Sequence, residues 1–409
     1  MSKLDELIAT MCPDGMEFKT LEELFVIKNG YTPSKSNKDY WTNGTIPWFR
    51  MEDIRTNGHI LSDSIQHVTS SAVRGKLFPA DSIILATTAT IGEHALILVN
   101  SLANQQFTFF SKRESFSSQL NIKFAYYCFY LIDEWCKKNT KVSSFPAVDM
   151  AKLKRYKIPV PPLPVQQEIV RILDSFTELT AELTAELTAR KKQYEFYRNY
   201  LLQSSIQKNK EVVLADVVEI VRGIRVVKKD LSESGLYPVY QNALTPMGFY
   251  SKKNRERNST FLISAGAAGQ IGFSDKDFWA ADDCFTFKCD SNALINKFLF
   301  HLLKNKQNKI NAFVRNASIP RISKESILGL KVSLPSVEVQ KRIVNVLDNF
   351  DAICSDLNIG LPAEIEARQK QYEYYRNLLL TFAETGNTLL ADQQISRSAD
   401  QQISRSADQ

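Results

Sequence analysis

"VQQEIVRILDSF" (Val165–Phe176) returns as "VQKRIVNVLDNF" (Val339–Phe350), 174 residues further along the chain. Each copy spaces its apolar residues three or four apart, which is the period of an amphipathic helix. A second pair follows: "RKKQYEFYRNYLL" (Arg190–Leu202) returns as "RQKQYEYYRNLLL" (Arg368–Leu380), now 178 residues on. A duplicated helical block is the feature to settle before any motif, because it decides the architecture.

Outward from these blocks the copying weakens. "LEELFVIKNG" (Leu21–Gly30) matches "LADVVEIVRG" (Leu214–Gly223) at four positions, Ile91-Gly92 matches Ile271-Gly272, Phe107-Thr108-Phe109 matches Phe285-Thr286-Phe287, and Pro146 with Val148 matches Pro320 with Ile322. Between these anchors the halves differ almost completely. The chain reads as globular, helix, globular, helix: one fold kept, its face rewritten.

The first helical stripe runs through Ile169, Leu173, Phe176, Leu179, Leu183, Leu187 and Tyr194, and predicts one helix of nearly forty residues, about 60 Å long. The second runs through Ile343, Val346, Leu347, Phe350, Ile353 and Leu357, then Tyr372; Gly360 and Pro362 are expected to break it. A long one-sided stripe needs a partner, and its own copy, packed antiparallel as a coiled coil, is the nearest. Within the first helix Thr-Ala-Glu-Leu is written twice, from Thr180 to Leu187. Four residues are slightly more than one turn, so such a unit changes helix length by about 6 Å while keeping leucines on one side. Ordinary coiled-coil filler is the plainer reading of the same letters. In the globular halves, "DSIILAT" (Asp81–Thr87), "STFLISAG" (Ser259–Gly266), "QFTFF" and "CFTFK" predict buried strands, and "NIKFAYYCFYLIDEWCKK" and "LINKFLFHLLKNKQNKI" predict helices. The fold class is mixed α/β, in two similar units.

Composition narrows the chemistry. With 409 residues, 44% hydrophobic, several domains with real cores are expected. No run of about 18 apolar residues exists, and the first residues mix acids into what a signal peptide keeps apolar, so a cytoplasmic protein with no membrane partner is expected. Six cysteines without a CxxC pair and four dispersed histidines argue against a zinc site or a disulfide framework. A net charge of +6 permits a nucleic-acid partner. No GxxxxGK[ST] loop is present, and the glycine-rich "SAGAAGQIG" (Ser264–Gly272) reads as a tight turn after a buried strand. No metal, cofactor or catalytic constellation is expected in this chain.

The order of blocks, with "IPVPPLPVQQEIVRILDSF…RKKQYEFYRNYLL" repeated as "VSLPSVEVQKRIVNVLDNF…RQKQYEYYRNLLL", resembles the specificity subunit of type I restriction-modification enzymes, over roughly Glu17 to Phe382. The resemblance implies a non-catalytic subunit whose two target recognition domains, residues 1–164 and 206–338, each read one half of a split sequence in double-stranded DNA. It implies spacer helices at 165–205 and 339–382, the second broken near 360–362, which set the distance between half-sites. Two methyltransferase subunits, modifying adenine at N6 with S-adenosylmethionine, and two restriction subunits using ATP and Mg are the implied partners. The "ADQQISRS" tandem within 383–409 departs from that pattern; it reads as a polar, disordered tail.

Base reading requires donors, acceptors and cations on loops that reach a groove, with Arg, Lys, Asn and Gln the favoured types. The candidates in the first half are Tyr31, Lys35, Lys38, Trp48, Arg50, Arg55 and the turn Thr87, Thr88, Thr90. In the second half they are Arg225, Lys228, Lys229, Gln241, Asn242, Lys252, Lys253, Arg255, Arg257, Gln270, Arg315 and Arg321, with "SKKNRER" (Ser251–Arg257) the densest basic cluster. Each of these is equally a solvated charge or a core aromatic, Trp48 especially. Two other readings share the pattern: a recognition subunit of another methylating or cleaving enzyme, and a scaffold on a coiled coil that binds no DNA. Binding that weakens steeply with salt separates the last from the others.

Overall fold

A computed structural model describes residues 2–141, 146–204 and 210–385. The "ADQQISRS" tandem, Ala391 onward, lies outside the described residues. The chain divides into two compact units, Met1–Ala181 with Ala367–Gln409, and Glu182–Glu366. Both boundaries fall inside helices, so each unit joins a globular half to the start of one helical block and the end of the other.

In the first unit a five-stranded sheet has the order Phe25–Asn29, Phe107–Lys112, Ser82–Ala86, His94–Ile97, Ile60–Leu61, antiparallel except at the last pair. The strand Ser82–Ala86 is buried on both faces. Ile83 and Leu85 join Phe110 in a core with Phe124, Phe129 and Ile132 of the helix Ile122–Lys138; Ile84 and Ala86 join Phe107 and Phe109 in a second core. The second unit repeats four of these strands in the order Val218–Arg222, Cys284–Cys289, Ser259–Ile263, Ile271–Ser274, with the helix Asn296–Asn305 on one face. A three-stranded sheet with one parallel pair accompanies each, built on Ile46–Phe49 in the first unit and Tyr237–Tyr240 in the second.

Strand pairing corrects two details of the internal alignment. Ala86 opposes Phe107 as Ile263 opposes Cys284, so Phe107 corresponds to Cys284 and not to Phe285. A shift of one residue matters because alternate side chains face opposite ways: Phe107 and Phe109 lie in the outer core, whereas Phe285 packs with Phe287 on the helix side. Gly92 donates its N–H to Ala86 O as Gly269 donates to Ile263 O, so Gly92 corresponds to Gly269 and not to Gly272. Both take φ near +80° (+79° and +86°), which favours glycine. Gly30 and Gly223 are retained for another reason: a Cβ on either would collide with the carbonyls of residues 103 and 104, or of 280 and 281.

The helix expected from Val165 runs Leu163–Ser204; its copy is Val337–Ser355 followed by Leu361–Thr385, with Pro362 in the first turn of the second piece. In the second unit the two blocks run antiparallel. Tyr194 and Tyr197 lie 6.4 and 5.6 Å from Phe350 between ring centres, and Leu202 shares a core with Ile343 and Leu347. In the first unit Phe176 stacks on Tyr375 at 5.5 Å, and Leu379, Leu380 and Phe382 share a core with Ile169 and Leu173. Leu179, Leu183 and Leu187 are half-buried.

One part of the second stripe is corrected. Ile343, Leu347, Phe350 and Cys354 turn inward, spaced four, three and four apart, while Val346 and Ile353 are exposed. Leu357 lies past the helix end at Ser355 and is 73% exposed, so it does not extend the seam.

The copied polar letters inside these apolar blocks have structural work. Gln166, fully buried, donates from Nε2 to Gln119 O (2.7 Å) and Pro161 O (2.6 Å) and accepts at Oε1 from Asn121 N–H (2.8 Å). Gln340 repeats this with Ala293 O (2.8 Å), Pro335 O (2.9 Å) and Ile295 N–H (2.9 Å). Asp174 accepts from Lys123 and Tyr127 (2.7 and 2.6 Å), and Asp348 from His301 (2.8 Å) with Lys297 at 3.6 Å. Each helical block is therefore tied to its globular half by one buried amide and one carboxylate.

Candidate nucleic-acid interface

The turn at the end of the central strand is the hub of one polar face in each unit. In the second unit it is Ser264–Gln270, with Gly266 and Gly269 at positive φ. Ala267 N–H donates to Asn242 O (2.9 Å) and Gly266 N–H to Pro320 O (3.1 Å), while Gln307 Nε2 donates to Gly269 O (2.8 Å) and to Asn311 Oδ1 (2.8 Å). Ile322 N–H donates to Ser264 O (2.9 Å), which closes the hairpin carrying Arg315 and Arg321. One surface thereby collects Gln241, Asn242, Gln270, Asn311, Arg315 and Arg321, a set rich in hydrogen-bonding side chains.

In the first unit the corresponding turn is Thr87–Glu93. Val148 N–H donates to Thr87 O (2.9 Å), and Thr87 N–H to Gln106 O (2.9 Å). Thr88 and Thr90 are half-buried at the surface, but Thr87 is buried and its hydroxyl lies 2.9 Å from that of Thr108, so its side chain holds the strand end and faces no groove. The hairpin here carries Lys141 and Ala147 where the second unit has Arg315 and Arg321.

Other sequence candidates are drawn into internal structure. Trp48 is 3% exposed, donates from Nε1 to Tyr31 O (3.0 Å) and meets Trp41 edge-on; the Tyr31 hydroxyl accepts from Arg74 N–H (2.7 Å). Arg50 lies over Trp48 and pairs with Glu52 at 2.9 Å. Within the basic cluster, Lys253 is clamped by Glu256 (2.9 Å) and Asp277 (2.7 Å), which hold its ammonium well above the ordinary lysine range. Arg255 donates to Thr286 (2.5 Å), Asn254 O (2.7 Å) and Arg222 O (3.1 Å), and burial lowers its pKa. Lys252 and Arg257 remain exposed, as do Lys35, Lys38, Arg55, Arg225, Lys228 and Lys229. The density of "SKKNRER" on paper is thus, among the described residues, two side chains without a salt bridge, Lys252 and Arg257, and two engaged ones, Lys253 and Arg255.

Sequence reasoning missed Gln307, Asn311 and Gln106. Gln307 sits near the end of a segment read only as a helix and Asn311 just past it, and nothing local marks them; their place beside the hub appears once the turn is folded. Among the described residues no three His, Cys, Asp or Glu side chains gather as a metal-ligand set, and no helix is long and apolar enough to cross a membrane.

The family model for the type I restriction modification DNA specificity domain matches twice, at residues 13–190 and 207–367. The chain is 38% identical over 377 residues to the type I restriction enzyme EcoprrI specificity subunit of Escherichia coli, covering 87% of this chain and 93% of that one. Among solved structures it is similar in fold to the type I restriction-modification S subunit from M. genitalium (TM-score 0.53, 18% identity, 90% of this chain and 96% of that one). It is likewise similar to the HsdS subunit from Thermoanaerobacter tengcongensis (TM-score 0.51, 15% identity, 92% and 98%). Two domain matches that each take in one hub, together with a relative that aligns across nearly its whole length, place this chain in the type I restriction-modification DNA specificity family.

Proposed function

We propose that this chain is the DNA-recognition subunit of a type I restriction-modification complex and that it reads a bipartite target, one half-site per unit. The observation that carries this is the hub: the turn and the hairpin beside it occur twice, tied by corresponding backbone hydrogen bonds (Val148 N–H to Thr87 O and Ile322 N–H to Ser264 O, Gly92 N–H to Ala86 O and Gly269 N–H to Ile263 O), with different side chains at the surface. A pair of modules with one frame and two faces suits a split target whose halves differ. Residues 1–164 and 206–338 serve as the recognition domains, and the helices over 165–205 and 339–382 as spacer and docking elements. The half-buried Thr88 and Thr90 and the exposed Asn242, Gln270, Arg315 and Arg321 lie on the reading faces; Lys35, Lys38, Arg55, Arg225, Lys228, Lys229, Lys252 and Arg257 supply phosphate contacts.

The chain performs no chemistry in this reading. Two methyltransferase subunits supply adenine-N6 methylation with S-adenosylmethionine, and two restriction subunits supply ATP- and Mg-dependent cleavage. Single-molecule mapping of modified adenine, in cells carrying this gene beside its methyltransferase gene against cells lacking only this gene, tests it. Two short half-sites around a fixed gap, methylated only when the gene is present, is the expected result; an unchanged pattern with the partner expressed overturns it. Deleting Thr180–Leu183 shortens a helix by about 6 Å, so the same mapping is expected to return a gap changed by at most about two base pairs.

A further inference from the structure

The hairpin that closes the hub in the second unit sets two arginines directly opposite each other. Arg315 N–H donates to Arg321 O (2.8 Å) and Arg321 N–H to Arg315 O (3.2 Å). Residues that exchange both backbone hydrogen bonds across antiparallel strands project from the same face, with Cβ atoms about 5 Å apart. Both residues are exposed, and among the described residues neither side chain forms a salt bridge. Like charges so placed destabilise a strand pair.

The hairpin itself does not need them. In the first unit the same bridge is made by Lys141 and Ala147, and Lys141 faces Asp149 at 3.4 Å, so no like-charge pair arises. An unneutralised pair that the backbone does not require, beside Asn242, Gln270 and Asn311, is suited to a ligand that accepts hydrogen bonds from a planar fork. The major-groove edge of guanine, with O6 and N7 side by side, is such a ligand, and arginine is its commonest specific partner.

We propose that the Arg315–Arg321 hairpin reads a G·C base pair in the half-site of the second unit, and that the first unit has no equivalent at its own hairpin. This rests on the chain being a DNA-specificity subunit. The test uses the full chain assembled with its methyltransferase partner and duplexes in which each half-site position is varied in turn. Two variants take the residues the first unit already carries in this hairpin: Arg321→Ala and Arg315→Lys.

Arg321→Ala is expected to weaken binding to the cognate duplex about 10- to 100-fold and to abolish the preference for G·C at one position of one half-site. The other half-site keeps its full discrimination, and the melting temperature stays level or rises as the like-charge contact is removed. Arg315→Lys keeps the charge and loses the fork, so it is expected to relax the same position with a smaller loss of affinity. An equal weakening on every duplex, with the slope of log K against log salt reduced by about one, marks a phosphate contact and overturns the proposal. Unchanged binding overturns it too. Absence of any half-site preference in the unmodified complex is a different result, and it removes the DNA-specificity reading itself.

Discussion

Tyr130 and Lys304 occupy the same place in the two units, on the helix beneath the copied "YRN" block, and they meet the two copies of its arginine, Arg376 and Arg198, with opposite consequences. In the first unit the Arg376 guanidinium lies 4.2 Å from the Tyr130 ring centre, a cation–π contact, and the Tyr130 hydroxyl is 3.1 Å from that of Tyr126. In the second unit Lys304 is half-buried and its pKa is lowered, first by burial and then by the nearby positive charge of Arg198. The helix ends have kept their letters while the surfaces they dock on have drifted. Duplication preserved the docking element and left each globular half to adapt to it separately.

Where the two units agree, the largest effects are expected. Gln166→Ala and Gln340→Ala each leave two carbonyls and one N–H without their partner, at a cost of about 2–4 kcal/mol to the unit concerned. Denaturant unfolding with a probe in each unit measures this. Costs differing by more than about 1 kcal/mol between the two sites would show that the copied networks are copied in geometry only.

Next comes the contact in which the units disagree. Tyr130→Lys gives the first unit the second unit's arrangement: it removes the cation–π contact and the hydroxyl pair and sets an ammonium beside Arg376. A loss of about 1–3 kcal/mol is expected from the first unit's transition, with the second unmoved. If the first unit tolerates lysine without loss, the contrast between the docking surfaces carries no energy.

These agreements and disagreements were unequally legible in the sequence. The helices were plain because identical letters recur at helical spacing, and Gln166 and Gln340 were visible as copied polar residues inside apolar blocks, though not their role. The strand register was not. "FTF" in both halves invites an alignment that is wrong by one residue, because Cys284 replaces Phe107 in the core and letter identity does not record which face a side chain takes. The hub was half-legible: Gly266 and Gly269 announced a turn, but the convergence of Asn242, Asn311 and Arg321 upon it depends on contacts across dozens of residues. Charge density misled in "SKKNRER", since pairing with Glu256 and Asp277 is a tertiary fact.

A second difference lies at the start of the copied helical blocks. Glu168 is buried in the first unit and held by Arg171 (2.6 Å) and by Lys3 (2.9 Å) of the helix Lys3–Met11; these partners lower its pKa to about 2. Among the described residues the corresponding Arg342 pairs with Glu338 alone, with both side chains largely exposed. A carboxyl whose folded pKa is depressed contributes stability that is fully present above its unfolded value and is lost as pH falls through the folded one. Acid titration is therefore expected to weaken the first unit from the ordinary carboxylate range down to about pH 2, and Glu168→Gln to flatten that slope while costing about 1–2 kcal/mol at neutral pH. An acid slope that survives the substitution would assign it to other carboxylates.

The smallest expected effect is a gain. Lys304→Tyr gives the second unit the aromatic that the first uses against the copied arginine, replacing repulsion of Arg198 by a cation–π contact worth about 0.5–1 kcal/mol. The pH dependence fixes the sign independently. A lysine whose pKa is lower folded than unfolded leaves the unfolded chain binding more protons between the two values, so stability rises with pH across the interval below the ordinary lysine range. The substitution is expected to raise stability at neutral pH and to erase that alkaline rise. A variant that is more stable but keeps the rise would place its cause at another group, and Lys306, whose pKa burial also lowers, is the next to substitute.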